Sequence, residues 1–416
     1  MRPYHRGLLA ACLLLSGCGD AAHPVTTASS VAASPVTTAS SVAASPVTTA
    51  SSVAASPVTT ASSVAADTRC PNGVTFGAAT AAAETGSNPR AVISADLNAD
   101  GRTDLVATNL DGNSVSVLLG AGDGTFATRV DYPAGSHPYM TVAADLNRDG
   151  TTDLATANFG GEEVTVRLGK GDGTFGPATT PAVGPTPRAI AVGDLDGDGT
   201  PDLVTANQRS STISVLRGKG DGTFAAKADY PTGRSPHGIV LGDLNRDGTP
   251  DAATASAGSA GVSILLGSGD GAFGAATSYP AAGRLYSLAT GDFNGDGTLD
   301  LAAAGHESAS VGVLLGAGDA TFAPVREYPT SAPPVAVTAT DINGDGRADL
   351  LTSVPGPGAV EVFTAGASGD FGGAAEVVLG AGAYDALAVD VTADKIPDLV
   401  AASSGTNSVR TRRGSC

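Results

Sequence analysis

Apolar and polar positions along this chain fall into short runs that repeat. Arg90 to Ala95 is a small apolar run, Asp104 to Thr108 a second and Ser114 to Leu119 a third. Gly120-Ala121-Gly122-Asp123-Gly124-Thr125 then turns the chain into a fourth, Phe126 to Tyr132. Short runs joined by Asp-Gly turns predict antiparallel strands, and no segment sustains a helical period. The pattern recurs: Asp96, Asp145, Asp194, Asp243, Asp292, Asp341 and Asp390 stand 49 residues apart, and Phe126, Phe175, Phe224, Phe273, Phe322 and Phe371 keep the same step. A period near 50 residues marks a solenoid or propeller. Four strands in each of seven units predict an all-β fold, a seven-bladed β-propeller of four-stranded blades.

The last unit ends after its third strand, Ser408 to Arg412, while Gly73-Val74-Thr75-Phe76-Gly77 copies the turn and fourth strand ahead of the first unit. Residues 74–81 are therefore expected to complete the last blade and close the ring. Cys70 precedes that strand and Cys416 follows its partner, so a Cys70–Cys416 disulfide is expected in an oxidising compartment.

Residues 1–17 read as a signal peptide, with Arg2 and Arg6 before the apolar stretch from Leu8 to Leu15. Leu15-Ser16-Gly17-Cys18 resembles the lipobox of bacterial lipoproteins. That resemblance implies acylation of Cys18 and anchoring in a membrane, the outer membrane or cell surface rather than the inner membrane. An 11-residue unit, Pro-Val-Thr-Thr-Ala-Ser-Ser-Val-Ala-Ala-Ser, then starts at Pro24, Pro35, Pro46 and Pro57. It has neither charge nor aromatic side chains, and residues 18–69 are expected to be a disordered tether. Residues 70–416 are the propeller.

Apolar residues make up 42% of the chain but aromatics only 4%, which suits many small, similar packing layers. The formal charge of −18 excludes a nucleic-acid binder held by a diffuse basic surface. The acids are concentrated in the turn between the first and second strands. Asp96, Asn98, Asp100 and Asp104 occupy positions 1, 3, 5 and 9 of the first such loop, with Gly101 at position 6 for the sharp turn. The set repeats as Asp145, Asn147, Asp149 and Asp153; Asp194, Asp196, Asp198 and Asp202; and Asp243, Asn245, Asp247 and Asp251. It repeats again as Asp292, Asn294, Asp296 and Asp300, and as Asp341, Asn343, Asp345 and Asp349. Hard oxygens at this spacing, with the position-7 carbonyl, are suited to Ca²⁺. About six calcium ions are expected, and they would cancel about twelve negative charges. An EF-hand is excluded, because position 12 of the first loop is Ala107 and the flanks are strands. The seventh loop departs from the set: Thr392 replaces the position-3 ligand and Lys395 the position-6 glycine, so it is expected to be empty or weak, with the Lys395 ammonium in place of the ion.

These Asp-x-Asn/Asp-x-Asp-Gly-x-x-Asp loops, with the Gly-Asp-Gly-Thr-Phe turns at 122–126, 171–175 and 220–224, resemble FG-GAP (VCBS-type) repeats over about residues 73–416. Such repeats form the seven-bladed propeller of integrin α subunits and recur in bacterial surface proteins and some lectins. The resemblance implies calcium on the lower face and adhesion or ligand binding on the opposite face. There, the entry to each first strand reads Arg90, Tyr139, Arg188, His237, Tyr286, Val335 and Tyr384 at the same step. Six of these, all but Val335, are candidate ligand contacts around the channel mouth, with Asn109, Asn158, Asn207, Arg209, His306 and Glu307 on neighbouring loops. A glycan, peptide or anionic group is the expected ligand of a monomeric propeller. The competing readings are a structural calcium protein without a specific ligand and a polysaccharide-acting propeller enzyme. Few histidines and committed carboxylates argue against catalysis.

Overall fold

The computed structural model describes Cys70 and residues 73–79, 82–281 and 283–416. They belong to one compact unit, Ser52–Cys416. The signal peptide, Cys18 and the tandem-repeat tether lie outside the described residues.

Seven antiparallel sheets are arranged as blades around a central channel. Blade 1 consists of Pro89–Ala95, Asp104–Asn109, Ser114–Leu118 and Val130–Pro133, hydrogen-bonded in that order. Blades 2 to 6 repeat it. Blade 7 takes three strands from the end of the chain, Ala383–Val389, Asp398–Ser403 and Ser408–Ser415, and its outer strand from the start, Thr75–Ala79. Thr75 pairs with Ser415 and Phe76 with Gly414, and a two-residue strand, Ala83–Glu84, continues onto Val409 and Ser408. First strands touch in succession around the ring, and Ala383–Val389 touches Pro89–Ala95 to close it. Among the described residues there is no helix.

Position within the blade decides composition. Second strands such as Asp104–Asn109 and Asp202–Asn207 are buried at every residue, because blades pack on both of their faces. The side chains there are small, as at Ala302, Ala303 and Ala304, all fully buried. Fourth strands such as Val130–Pro133 face solvent. The apolar clusters lie between blades: Val92, Leu105 and Leu118 of blade 1 pack with Leu387 and Val400 of blade 7. Larger rings staple the outer edge. Tyr132 of blade 1 meets Phe175 of blade 2 edge to face at 5.3 Å, and Tyr230–Phe273, Tyr279–Phe322 and Tyr328–Phe371 repeat the contact. Each such pair contributes about 0.5–1.5 kcal/mol beyond its buried area.

The fourth strand of blade 1 begins at Val130, later than expected. Phe126 makes only a single bridge to Gly120, and the chain rejoins the ladder after residue 129. Cys70 and Cys416 form the disulfide, with Cα atoms 5.0 Å apart across 346 positions of sequence. Cys70 is buried and its N–H donates to the carbonyl of Asn343. The described chain thus enters the ring on the face that carries the Asp loops.

Candidate functional site

Each Asp loop is wound by its own carboxylates. Asp96 accepts the N–H groups of Asp100 and Gly101, at 3.2 and 2.9 Å. Asn98 accepts the Asp100 N–H, and Asp100 accepts that of Arg102. Asp104 is fully buried and spans two elements, taking the Leu97 N–H on one oxygen at 2.9 Å and the Gly120 N–H on the other at 2.7 Å. The last pair ties the loop to the end of the third strand. It recurs at Asp153, Asp202, Asp251, Asp300, Asp349 and Asp398.

The backbone is left-handed at position 6, as glycine there predicts, with φ of 76° at Gly101. It is also left-handed at position 4, where Ala99, Arg148, Arg246 and Ala393 take φ of 56–61° without a glycine. The signal for this was present in Gly197, Gly295 and Gly344, which occupy that position in the other loops.

In the third loop, carboxylate oxygens of Asp194, Asp196 and Asp202 lie within 4.8 Å of one another. Asp198, at position 5, stands apart: it accepts the Thr200 N–H and lies 3.8 Å from Arg148. The other intact loops carry an asparagine amide at position 3. Burial pushes Asp153, Asp202, Asp251, Asp300 and Asp349 up to about 6, against the two amide bonds each accepts, with the neighbouring carboxylates adding to the rise. The donor set fits a hard divalent cation: it is all oxygen, and each amide bond leaves further lone pairs on the carboxylates.

Arginines at position 4 cross between loops, a role the sequence reading missed. Arg148 donates from Nε to the carbonyl of Gly199 at 3.1 Å, and Arg246 reaches the carbonyl of Asp296 at 3.4 Å. In the seventh loop Lys395 takes φ of 67° in place of glycine. The cation that pairs with Asp394 there is Arg413 of the last strand, at 2.9 Å.

The opposite face is organised by β-bulges. In blade 1 the ladder passes from Pro89 opposite Asn109 to Ala91 opposite Thr108, leaving Arg90 out of the pairing. Tyr139, Arg188, His237, Tyr286 and Tyr384 are left out in the same way. In blade 6 the ladder begins at Ala336, with no bulge at Val335. Bulges re-aim side chains, and here all six bulged residues, with Val335, line one cavity of about 70 Å³ at the channel mouth.

The side chains hold one another in place. The Arg90 guanidinium lies 3.8 Å from the ring centre of Tyr384. Arg188 lies 4.3 Å from the Tyr139 ring and 5.3 Å from that of Tyr286, and donates to the Tyr139 hydroxyl at 2.7 Å. Tyr286 stacks on His306 at 4.3 Å, and His237 lies 4.8 Å from it on another side. His237 is only 5% exposed, and burial, followed by Arg188, Arg284 and His306, lowers its pKa to about 3. The neutral ring accepts from the Gln208 amide on Nε2 at 2.9 Å, which places its proton on Nδ1. Three buried donors of this ring have no partner: Arg90 Nε, Arg188 Nε and His237 Nδ1.

Asp385, which no repeat pattern marks, lines both the mouth and the channel cavity next to it. It accepts the Val92 N–H at 3.1 Å and the Ala386 N–H at 3.0 Å, yet burial pushes it up to about 7. Asn109, Asn158 and Asn207, expected on loops of this face, are fully buried at the ends of second strands. Their amides bond across the blade to Ser116, Thr165 and Ser214. Arg209 is exposed and outside the cavity, and Glu307 faces Arg284 at 3.8 Å. Ser287, a hydroxyl at the mouth, donates to the Val337 carbonyl rather than to a base.

Fold and loops together define a seven-bladed propeller built from Asp-loop repeats. The FG-GAP-like repeat model matches residues 96–156, 145–205, 194–254, 253–303, 292–352 and 341–401, and the chain belongs to that family. No curated protein sequence matches it. Solved structures with the same fold include BBS1N in complex with ARL6DN, soaked with lead (TM-score 0.60, 13% identity, 82% of this chain and 96% of that one). They also include a lectin of Agrocybe aegerita, described as recognising non-reducing terminal N-acetylglucosamine (TM-score 0.52, 20% identity, 80% of this chain and 86% of that one).

Proposed function

We propose that this protein is a non-catalytic binding module: a calcium-braced propeller, exported and anchored to a membrane through lipid on Cys18, that binds a glycan or protein ligand at its channel mouth. The observation that carries the reading is the set of six bulges, which turn Arg90, Tyr139, Arg188, His237, Tyr286 and Tyr384 into one cavity. Six of the seven blades bulge at this position and place tyrosine, arginine or histidine in the wall of the mouth, and the remaining position, Val335, is aliphatic and has no bulge. The lectin of the same fold favours a glycan as ligand.

Calcium would be held by the oxygens of positions 1, 3, 5 and 9 in six loops, with Asp194, Asp196 and Asp202 the most convergent set. The ion would relieve the repulsion among those carboxylates and fix the lower ends of the first and second strands. Residue 70 enters on that same lower face, away from the mouth.

Binding of the full chain to glycan and peptide arrays, with calcium and with chelator, tests the reading. Retention lost in a Tyr139→Ala, Arg188→Ala, Tyr286→Ala triple variant that still folds supports it. Retention unchanged in that variant, or product release from a polysaccharide, refutes it.

A further inference from the structure

The unpartnered atoms of the mouth share one character. Arg90 Nε, Arg188 Nε and His237 Nδ1 are all N–H donors, and all are buried in the wall of a single small cavity. Leaving a buried donor unsatisfied is costly, so these three are poised for an acceptor that is not part of the chain. Two acceptors of the mouth are partly occupied: Asp385 takes two backbone N–H groups, and the Tyr139 hydroxyl takes one N–H from Arg188. Size narrows the ligand further. A cavity of about 70 Å³ holds roughly five water molecules, too few to vacate room for a whole sugar ring. The two guanidiniums lie over tyrosine rings, which leaves little rotamer freedom to lose on binding.

We propose that the mouth takes the carboxylate of an acidic sugar residue, which enters the cavity end-on while the rest of the glycan lies on the face outside. The inference rests on the reading of the mouth as a ligand site and names its chemistry. A carboxylate is acceptor-only, with about four lone-pair sites for the three free donors, and planar enough to meet an arginine fork. With six calcium ions bound, the formal charge of −18 would fall to about −6, still acidic, so two arginines converging on one cavity are a local exception. An acidic glycan would be admitted there and repelled elsewhere.

The test uses the full chain with calcium and a panel of oligosaccharides ending in glucuronate, galacturonate or sialate, each paired with its methyl ester. The ester keeps the sugar and removes the charge. The inference predicts that at least one free acid binds tenfold or more tighter than its ester, the difference shrinking as NaCl rises from about 50 to about 500 mM. Arg90→Gln and Arg188→Gln should each weaken the acid about tenfold, with the ester little changed. Because either arginine variant could perturb folding, Val335→Glu adds a carboxylate to the wall of the same cavity, at the ring position without a bulge. It should weaken the acid and spare the ester. Equal binding of acid and ester, with both lost in the Tyr139, Arg188 and Tyr286 variant, would overturn the carboxylate inference and leave the binding-module reading standing. Acid binding indifferent to all the mouth substitutions would also overturn it. Absence of retention for every saccharide and peptide would overturn both.

Discussion

Asp385→Asn tests a carboxyl that is withdrawn from water although its surface is not fully covered. In the folded chain burial raises this carboxyl from 3.8 to about 7. The unfolded chain ionises it near the ordinary value, so the folded state holds the proton more tightly. The stability this group contributes is complete below about pH 4, falls as pH rises from about 4 to about 7, and is gone above. The difference between 3.8 and about 7 corresponds to roughly 4 kcal/mol. Water in the channel lowers that, and about 2 kcal/mol is a reasonable working figure. A propeller of this length unfolds with an entropy of about 0.7 kcal/mol per degree, so 2–4 kcal/mol is worth about 3–6 °C. Asparagine cannot ionise but loses one acceptor, because its amide N–H₂ would face either the Val92 or the Ala386 N–H. Wild type and variant, melted side by side from pH 4 to 8 with saturating calcium, should therefore diverge. The variant should gain on wild type by about 3 °C or more between pH 4 and 7, and the gap should be flat above. Parallel melting curves across that range would show that Asp385 titrates normally and that its surroundings are well solvated.

Other substitutions probe separate elements. Cys416→Ser opens a loop spanning 346 positions, nominally worth about 6 kcal/mol by chain entropy but more often about 2–4 in practice. Because Thr75–Ala79 still closes the ring, Tm should fall by about 3–6 °C with the fold kept, and an unchanged Tm would refute the role of the bridge. Asn158→Ala removes the acceptor of the Gly135 N–H and the donor to Thr165 and should cost about 2–3 kcal/mol in denaturant unfolding, whereas a surface asparagine would cost almost nothing. In the seventh loop, Thr392→Asn with Lys395→Gly restores the repeat pattern and relieves a left-handed lysine. Calorimetric titration should count one more calcium than in wild type, and an unchanged count would mean that Arg413, bound to Asp394, keeps the ion out.

The 49-residue step of Asp96 and its successors was enough to place seven blades, the closing strand and the disulfide, because a strict repeat transmits its geometry from unit to unit. It also located Arg90, Tyr139, Arg188, His237, Tyr286 and Tyr384 at the mouth. What it did not report is why they point there. Alternating apolar positions say nothing about a ladder that slips by one residue, so the bulge at Arg90 becomes visible only in the pairing of Pro89 and Ala91. Asn109, Asn158 and Asn207 were misread for a similar reason. A polar residue at a strand end looks like a loop residue, and only the facing Ser116, Thr165 and Ser214 reveal it as a buried brace. Asp385 was passed over because it occurs in one blade alone, and a period singles out what recurs. Left-handed backbone at position 4 was half legible, glycine marking it in three loops while Ala99 and Arg148 hid it in others.

The central claim is that divalent ions brace the lower face of the ring, and metal content measured together with thermal stability tests it most directly. The purified chain, dialysed against millimolar calcium and then freed of unbound ion, should contain about six calcium ions per molecule by elemental analysis, and EDTA should lower its Tm by well over 10 °C. A chain that contains no calcium and melts at the same temperature with EDTA as without it would contradict the account.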